Sequence, residues 1–180
     1  MAEEERRHTI VVLVDNEPGV LARVIGLFSG RGYNIDSLTV AEVDKARGRS
    51  RINIVTTGTE PVIEQIKALL ATLVPVHRVQ DLPIEGPHIE RELALVKVMG
   101  ERQKIVEALR IAESMHARLV DSQPGCFVFE VTGASDEIDA FVALVEPVEV
   151  SRAGVVAIGR GRSVLAGRDD GGDASGGAPR

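Results

Sequence analysis

The histidines, the cysteine and the serines of this sequence could perform catalysis or bind metals, but their spacing groups them into no known motif. The histidines His8, His77, His88 and His116 lie far apart, and no two have the spacing of metal ligands. Cys126, the single cysteine, has no partner for a disulfide or a thiolate zinc site. No Gly-x-Ser-x-Gly or Ser-x-x-Lys nucleophile motif occurs. The sequence therefore predicts no catalytic residue, no metal site and no cofactor in this chain.

One short segment has the composition of a small-molecule binding loop. The sequence Asn-Glu-Pro-Gly, from Asn16 to Gly19, follows an apolar run and precedes residues with helical spacing. Asn16 is predicted to cap that helix, and Pro18 to lie in its first turn. The N–H groups of Gly19, Val20 and Leu21 are then expected to point outward at the positive end of the helix. A carboxylate fits such a site, but the same pattern also fits an ordinary capped helix without a ligand.

The elements around this loop follow the order βαββαβ, and the second half of the chain repeats that order. In the first half, strands are predicted at 9–14, 33–43, 50–57 and 74–82, and helices at 20–28 and 62–73. In the second half, strands are predicted at 92–99, 118–122, 126–132 and 148–158, and helices at 105–115 and 138–145. Each half is expected to form an antiparallel four-stranded sheet with both helices on one face.

The predicted fold class is α+β, with two ferredoxin-like βαββαβ domains and a disordered C-terminal tail. The predicted bounds are 8–82 for the first domain, 83–89 for a linker, 90–161 for the second domain and 162–180 for the tail. The sheet face that carries no helices must be covered by the other half of the chain or by a second chain, because an exposed apolar face of that size promotes aggregation. A homodimer is therefore expected.

Composition excludes several classes of function. The formal net charge of −6 disfavours a protein that binds the phosphates of nucleic acids, and one tyrosine with no tryptophan offers few platforms for base stacking. No run of about eighteen apolar residues occurs, and the N-terminus lacks the apolar region of a secretory signal. We therefore expect a cytoplasmic protein that binds neither nucleic acid nor membrane.

The sequence from Val12 to Ser29, continued by Arg31-Gly-Tyr-Asn-Ile-Asp-Ser-Leu-Thr-Val40, closely resembles the opening of acetolactate synthase small subunits. The resemblance continues through 50–55, 90–98 and 151–156 to Arg160-Gly161. It covers nearly all of the chain except the first few residues and the tail. The run from Arg31 to Thr39 is its most specific part, because turns like Asn-Glu-Pro-Gly occur in many domains that sense small molecules.

The resemblance implies that the first domain is an ACT domain and the second an ACT-like one. In that family two copies pair, and an effector, usually valine, lies between the first loop of one chain and the second strand of the other. Carried over by matching motif, the effector-binding residues are Asn16, Gly19, Val20 and Leu21, with Asn34 and Ile35 from the facing chain. Ala41 is either a position that influences the sensitivity to the effector or an ordinary strand residue. Leucine and isoleucine are also expected to bind, since an apolar pocket discriminates by only ~1–3 kcal/mol per methylene.

The resemblance also implies a partner, the large catalytic subunit, which carries thiamine diphosphate, Mg²⁺ and FAD. This chain would activate that subunit and confer feedback inhibition, and its second half would support dimerisation and contact with the partner. A free-standing ACT-type sensor of another metabolic enzyme is the main alternative, and residues 90–98 count against it. An RNA-binding module shares the βαββαβ order but would need aromatic residues on its central strands.

Overall fold

The computed structural model describes residues 4–162 and residue 165. In the first half the elements are β1 (Arg6–Asp15), α1 (Val20–Ser29), β2 (Ser37–Asp44), β3 (Arg49–Gly58), α2 (Glu60–Thr72), β4 (Val76–Asp81) and α3 (Leu82–Glu85). In the second half they are β5 (His88–Met99), α4 (Arg102–Ser114), β6 (Arg118–Gln123), β7 (Cys126–Gly133), α5 (Ser135–Val145), β8 (Glu149–Arg152) and β9 (Val156–Gly159). The predicted α+β class with two ferredoxin-like units is confirmed.

The first sheet has the strand order β2-β3-β1-β4, with every neighbouring pair antiparallel. Its central strand β1 is β-branched and apolar, and every residue of it from His8 to Val14 is buried. Alternate residues Ile10 and Val12 face the helices, where they pack with Phe28 of α1 and their neighbours. Burying each such side chain contributes about 1.5–3 kcal/mol, so this layer holds β1 in the middle of the sheet.

The second sheet repeats that plan with the order β6-β7-β5-β8, and β9 also pairs with β5. Alternation along β5 places Ala94, Val96 and Val98 in the core beneath α4 and α5. The rings of Phe129 and Phe141 meet edge to face at 6.0 Å between their centroids. Each unit therefore has its own core, formed between one sheet and the helices on one of its faces.

Three elements differ from the sequence-based expectation. The second strand begins at Ser37 rather than at Tyr33, because Tyr33 and Ile35 pack against the core in an irregular segment. A helical turn, α3, occupies 82–85, where the end of a strand and the start of a linker were expected. The predicted last strand is two strands, interrupted between β8 and β9 where Gly154 has a φ of 86°.

The described residues divide into two compact units, one of residues 4–89 together with 157–162 and residue 165, and the other from Glu90 to Val156. On the helix-free face of the first sheet, Val11, Leu82 and Ala157 form a small buried cluster, and Leu165 packs against it. Part of this face is thus covered by Ala157 and Leu165 of the same chain. Of the predicted tail, 163–164 and 166–180 lie outside the described residues.

Candidate functional site

The predicted binding loop connects β1 to α1 and is fastened to the hairpin between β2 and β3. The backbone N–H of Asn16 donates to the carbonyl oxygen of Gly48 at 2.6 Å, and Asn16 Nδ2 donates to Glu42 Oε1 at 3.2 Å. Both contacts join residues that are far apart in sequence, and for that reason the sequence did not reveal Glu42 or Gly48 as neighbours of the loop. The loop therefore lies at the end of the sheet where β2 ends and β3 begins.

The start of α1 differs from the prediction. Gly19 is the N-cap residue, with φ 86° and ψ −6°, and no side chain caps the helix. Asn16 lies too early in the chain to act as the cap, and its side chain is bound to Glu42 instead. Pro18 lies in the turn before the helix and not in its first turn. The left-handed conformation of Gly19 causes the difference, because it lets the chain reverse before the helix begins.

The first turn of α1 presents backbone N–H groups to the surface. The first helical hydrogen bond runs from Arg23 N to Gly19 O at 3.0 Å, and Val20 N makes a long contact of 3.4 Å with Glu17 O. Within the part of the chain that the structure describes, the N–H groups of Gly19 and Leu21 have no acceptor. Gly19 is exposed, and Leu21 is 37% exposed. These groups, at the positive end of a helix dipole, can bind an anion.

The two remaining predicted residues lie at the opposite end of β2. Asn34 is exposed, its Nδ2 donates to Asp36 Oδ1 at 2.5 Å, and its carbonyl oxygen accepts from Thr56 Oγ1 at 2.6 Å. Ile35 is partly buried against the core. The span of β2 from Ser37 to residue 42 is about 17 Å at the usual rise per residue of a strand. A single chain therefore does not bring the two groups of predicted residues together.

Ala41 lies on β2 near the loop and is exposed. It is in register with Arg51 of β3, and Arg51 is in register with Leu13 of β1. Strand β2 is at the edge of its sheet, so its outer side has no strand partner among the described residues. The predicted sensitivity position is thus on an open sheet edge beside the loop.

A buried histidine lies elsewhere in the first unit. His8 Nδ1 is 2.7 Å from Asp81 Oδ2, and Asp81 is completely buried, with its Oδ1 atom unpaired. Burial raises the pKa of the Asp81 carboxyl, while the hydrogen bond with His8 lowers it. No group of three or more histidine, cysteine, aspartate or glutamate residues within the described part of the chain is arranged to hold a metal ion. None of the helices in that part is long and apolar enough to cross a membrane.

The equivalent turn of the second unit has a different geometry. Its N-cap residue is Glu101, which is extended with φ −70° and ψ 166°, and α4 follows directly at Arg102. The backbone N–H of Gly100 donates to the carbonyl oxygen of Gly125 at 3.1 Å. The side chain of Lys104 fills the adjacent space, since a Cβ at Gly100 would lie 2.9 Å from its Cδ. This turn lacks the exposed left-handed glycine of the first unit.

Comparison with known proteins identifies the class of the chain and then its family. A family model described as an AHAS small subunit-like ACT domain matches residues 10–78, and one described as the small subunit of acetolactate synthase matches 91–161. The fold and these matches together define an ACT-domain protein with a second, related unit.

Proteins that are similar to this chain along most of its length identify its family within this class. The acetolactate synthase isozyme 3 small subunit of Salmonella typhimurium is 44% identical over 163 residues, which cover 88% of this chain and 99% of that protein. The acetolactate synthase small subunit of Aquifex aeolicus is 42% identical, with 88% and 84% covered. The crystal structure of the small subunit from Thermotoga maritima superimposes with a TM-score of 0.76 at 35% identity, with 88% and 99% covered. The chain belongs to the family of acetolactate synthase small subunits.

Proposed function

We propose that this chain is a non-catalytic regulatory subunit that acts in the cytoplasm on the large catalytic subunit of acetolactate synthase. In this role it activates the large subunit, which carries thiamine diphosphate, Mg²⁺ and FAD, and makes it sensitive to feedback by valine. Membership of the small-subunit family supports the role, because a small subunit implies a larger partner. The geometry of the first unit supports a site for the effector.

The observation that carries this proposal is the division of the predicted site between the two ends of an open edge strand. Asn16 and Gly19 lie where β2 ends, and Asn34 and Ile35 lie just before it begins. If two copies pair their β2 edges antiparallel about a twofold axis, the end of one β2 meets the start of the other. Asn34 of a second copy would then face the loop of the first, and two equivalent sites would form. The proposed homodimer is thus the assembly that completes the site.

The chemistry of the two groups matches an aliphatic amino acid. The N–H groups of Gly19 and Leu21 suit the carboxylate of the ligand. The side-chain oxygens of Asn16 and Asn34 suit its ammonium group, and the Glu42 carboxylate beside Asn16 adds negative charge there. The apolar side chains of Leu21 and Ile35 suit a branched aliphatic side chain, so leucine and isoleucine are also expected to bind, with modest discrimination.

A free-standing ACT-type sensor that controls another metabolic enzyme is the alternative. Such a protein would need only the first unit for sensing. The match of residues 91–161 to the acetolactate synthase small-subunit model favours the regulatory subunit instead.

The test is acetolactate formation by the large subunit from the same organism, measured with and without this chain across a valine titration. We expect the chain to raise the rate and valine to remove most of the increase. Light scattering of the chain with and without valine checks that the binding species is a dimer. An unchanged rate with both folded proteins present, at every valine concentration, would contradict the proposal and leave the free-standing sensor.

A further inference from the structure

A line of polar groups crosses the helix-free face of the first sheet, from its open edge to Ala157 of β9. Asn53 Nδ2 donates to Thr39 Oγ1 of β2 at 2.9 Å, and Arg51 Nε donates to Asn53 Oδ1 at 3.4 Å. Arg51 Nη2 then donates to the carbonyl oxygen of Ala157 in β9 at 2.5 Å. Three consecutive hydrogen bonds therefore connect edge strand β2, through β3, to the C-terminal segment 157–160.

The alternation of β3 places these side chains on that face. Ile52 and Ile54 point into the core below the helices, so Arg51 and Asn53 point to the opposite side. Asn53 is only 6% exposed, and a buried amide must have its hydrogen bonds satisfied. The positions of Thr39 and of the Arg51 guanidinium are therefore tied to each other through one rigid side chain.

Arg51 is half-buried, and burial lowers the pKa of its guanidinium. Among the described residues its hydrogen-bond partners are an amide oxygen and a backbone carbonyl oxygen, and no carboxylate pairs with it. A half-buried cation without a carboxylate depends on such oxygens for its solvation. Ala157 is held from its other side by the buried cluster with Val11 and Leu82. One charged hydrogen bond and a small apolar contact thus join the C-terminal segment to the first sheet. The segment is also held by the pairing of β9 with β5 and by the hydrogen bond from Arg160 N to Pro87 O at 2.8 Å.

We propose that Arg51 is a positioning residue that couples the effector site at the β2 edge to the C-terminal segment 157–160. The inference rests on the proposed function, in which the effector and a second copy lie along β2. Arg51 is in register with Ala41 of that strand, and Asn53 is bound to Thr39 on the same strand. A shift of β2 on effector binding changes the hold of Arg51 on Ala157, and the coupling must act equally in both directions.

The first test uses the holoenzyme and the variants Arg51→Gln and Arg78→Gln. Arg78 is a matched control, because it is exposed on β4, is in register with Leu13 from the other side, and its side chain makes no hydrogen bond among the described residues. We expect the Kd of Arg51→Gln for valine, measured by calorimetry, to lie within about twofold of that of the original chain. At saturating valine, the fold-inhibition of the holoenzyme should nevertheless be smaller by a factor of about five or more in this variant. Arg78→Gln should behave like the original chain, and Arg51→Lys should recover part of the inhibition.

Two results of this test would overturn the proposal. Full inhibition in Arg51→Gln would show that the hydrogen bond to Ala157 does not carry the response. Loss of valine binding itself would make Arg51 a contact of the effector and not a coupling residue. Thermal unfolding of each variant separates either result from simple misfolding.

A second test needs neither valine nor the partner subunit. Asn53→Ala removes the link between Thr39 and Arg51 without changing Arg51 or Ala157. We expect the amide hydrogens of residues 157–160 to exchange about tenfold faster in Asn53→Ala, which corresponds to the loss of roughly one hydrogen bond, and to be unchanged in Arg78→Gln. Unchanged exchange in Asn53→Ala would overturn the coupling. If valine has no effect on the original holoenzyme, the proposed function fails, and the exchange experiment still decides whether the coupling exists.

Discussion

The two units of this chain have the same order of elements and the same sheet topology, but they differ at the turn after the first strand. In the first unit Gly19 is left-handed and exposed, and it precedes the open N–H groups of α1. In the second unit the N-cap is an extended Glu101, and Lys104 fills the space beside Gly100. The comparison shows that the capacity to bind a ligand depends on the backbone conformation of one turn, and that the fold alone does not provide it.

The two units also differ in how many hydrogen bonds a buried carboxylate accepts. Glu92 of the second unit accepts two hydrogen bonds from Arg152, at 2.9 Å and 2.5 Å, and a third from Ser135 at 3.3 Å. Asp81 of the first unit is more deeply buried, yet only its Oδ2 atom is paired, with His8. A bidentate arginine compensates a buried charge far better than one hydrogen bond does.

The largest expected effect concerns the left-handed glycine. Gly19→Asp places a carboxylate where the carboxylate of valine is proposed to bind, and like charges so close cost several kcal/mol. We expect the valine concentration for half-inhibition to rise by about 100-fold or more, while activation of the large subunit is kept. Gly19→Asn is the matched control, since asparagine has the same shape without the charge and tolerates a positive φ. Equal losses in both variants would show that backbone strain, and not the anion site, is responsible.

The next effect concerns the buried ion pair of the second unit. Arg152→Gln leaves Glu92 buried without its cation, and we expect the free energy of unfolding to fall by about 2 kcal/mol, below the full value for a buried pair because Arg152 is partly exposed. Urea unfolding measures the change. Arg118→Gln removes an exposed pair with Glu130 and should cost less than about 1 kcal/mol. Similar costs for the two variants would contradict the importance of burial.

A smaller effect is expected from the carboxylate of the first unit. Because burial raises the pKa of Asp81 in the folded state, its contribution to stability is present below the unfolded-state pKa and is lost as the pH rises through the folded-state pKa. Asp81→Asn cannot titrate. The stability advantage of the original chain over Asp81→Asn should therefore shrink as the pH rises from acid toward neutral, as followed by urea unfolding at several pH values. A constant difference would mean that Asp81 has the same pKa in the folded and unfolded states.

The smallest effect is expected at the turn of the second unit. Glu101→Gly makes that turn more like the first, but Lys104 still fills the space and no left-handed residue is present there. We expect the half-inhibiting valine concentration to change by less than about twofold, which is too little for a residue that contacts the effector. A larger change would place a second effector site in this unit.

The order of the elements was predictable because both units alternate and repeat with regular spacing. The runs of Val, Ile and Leu in β1 and the helical spacing in α1 and α2 are strong local signals. The position of the N-cap was not predictable, because Asn16 and Gly19 both suit the start of a helix and only the φ of Gly19 decides between them. The amino-acid composition of the loop does not reveal that Gly19 adopts this conformation.

The other features that the sequence did not predict depend on contacts between residues that are far apart in the sequence. The hydrogen bond from Asn16 to Glu42, and that from Arg51 to Ala157, join residues 26 and 106 positions apart. The segment 148–158 reads as one apolar strand, and only the structure shows the break at Gly154 before β9. The family resemblance supplied the candidate residues, and the structure added that they lie at opposite ends of β2.

The first compact unit is discontinuous in sequence, whereas the second is a single stretch from Glu90 to Val156. A ribosome makes the chain from its N-terminus, so all of the second unit is synthesised before the residues from Ala157 that cover Val11. During translation the main core of the first unit, whose buried residues all lie within 10–76, can form before Ala157 is made. The cover over Val11 and the pairing of β9 with β5 are both added afterwards. Removal of residues 157–162 would consequently uncover Val11 in the N-terminal unit and also leave β5 without most of β9.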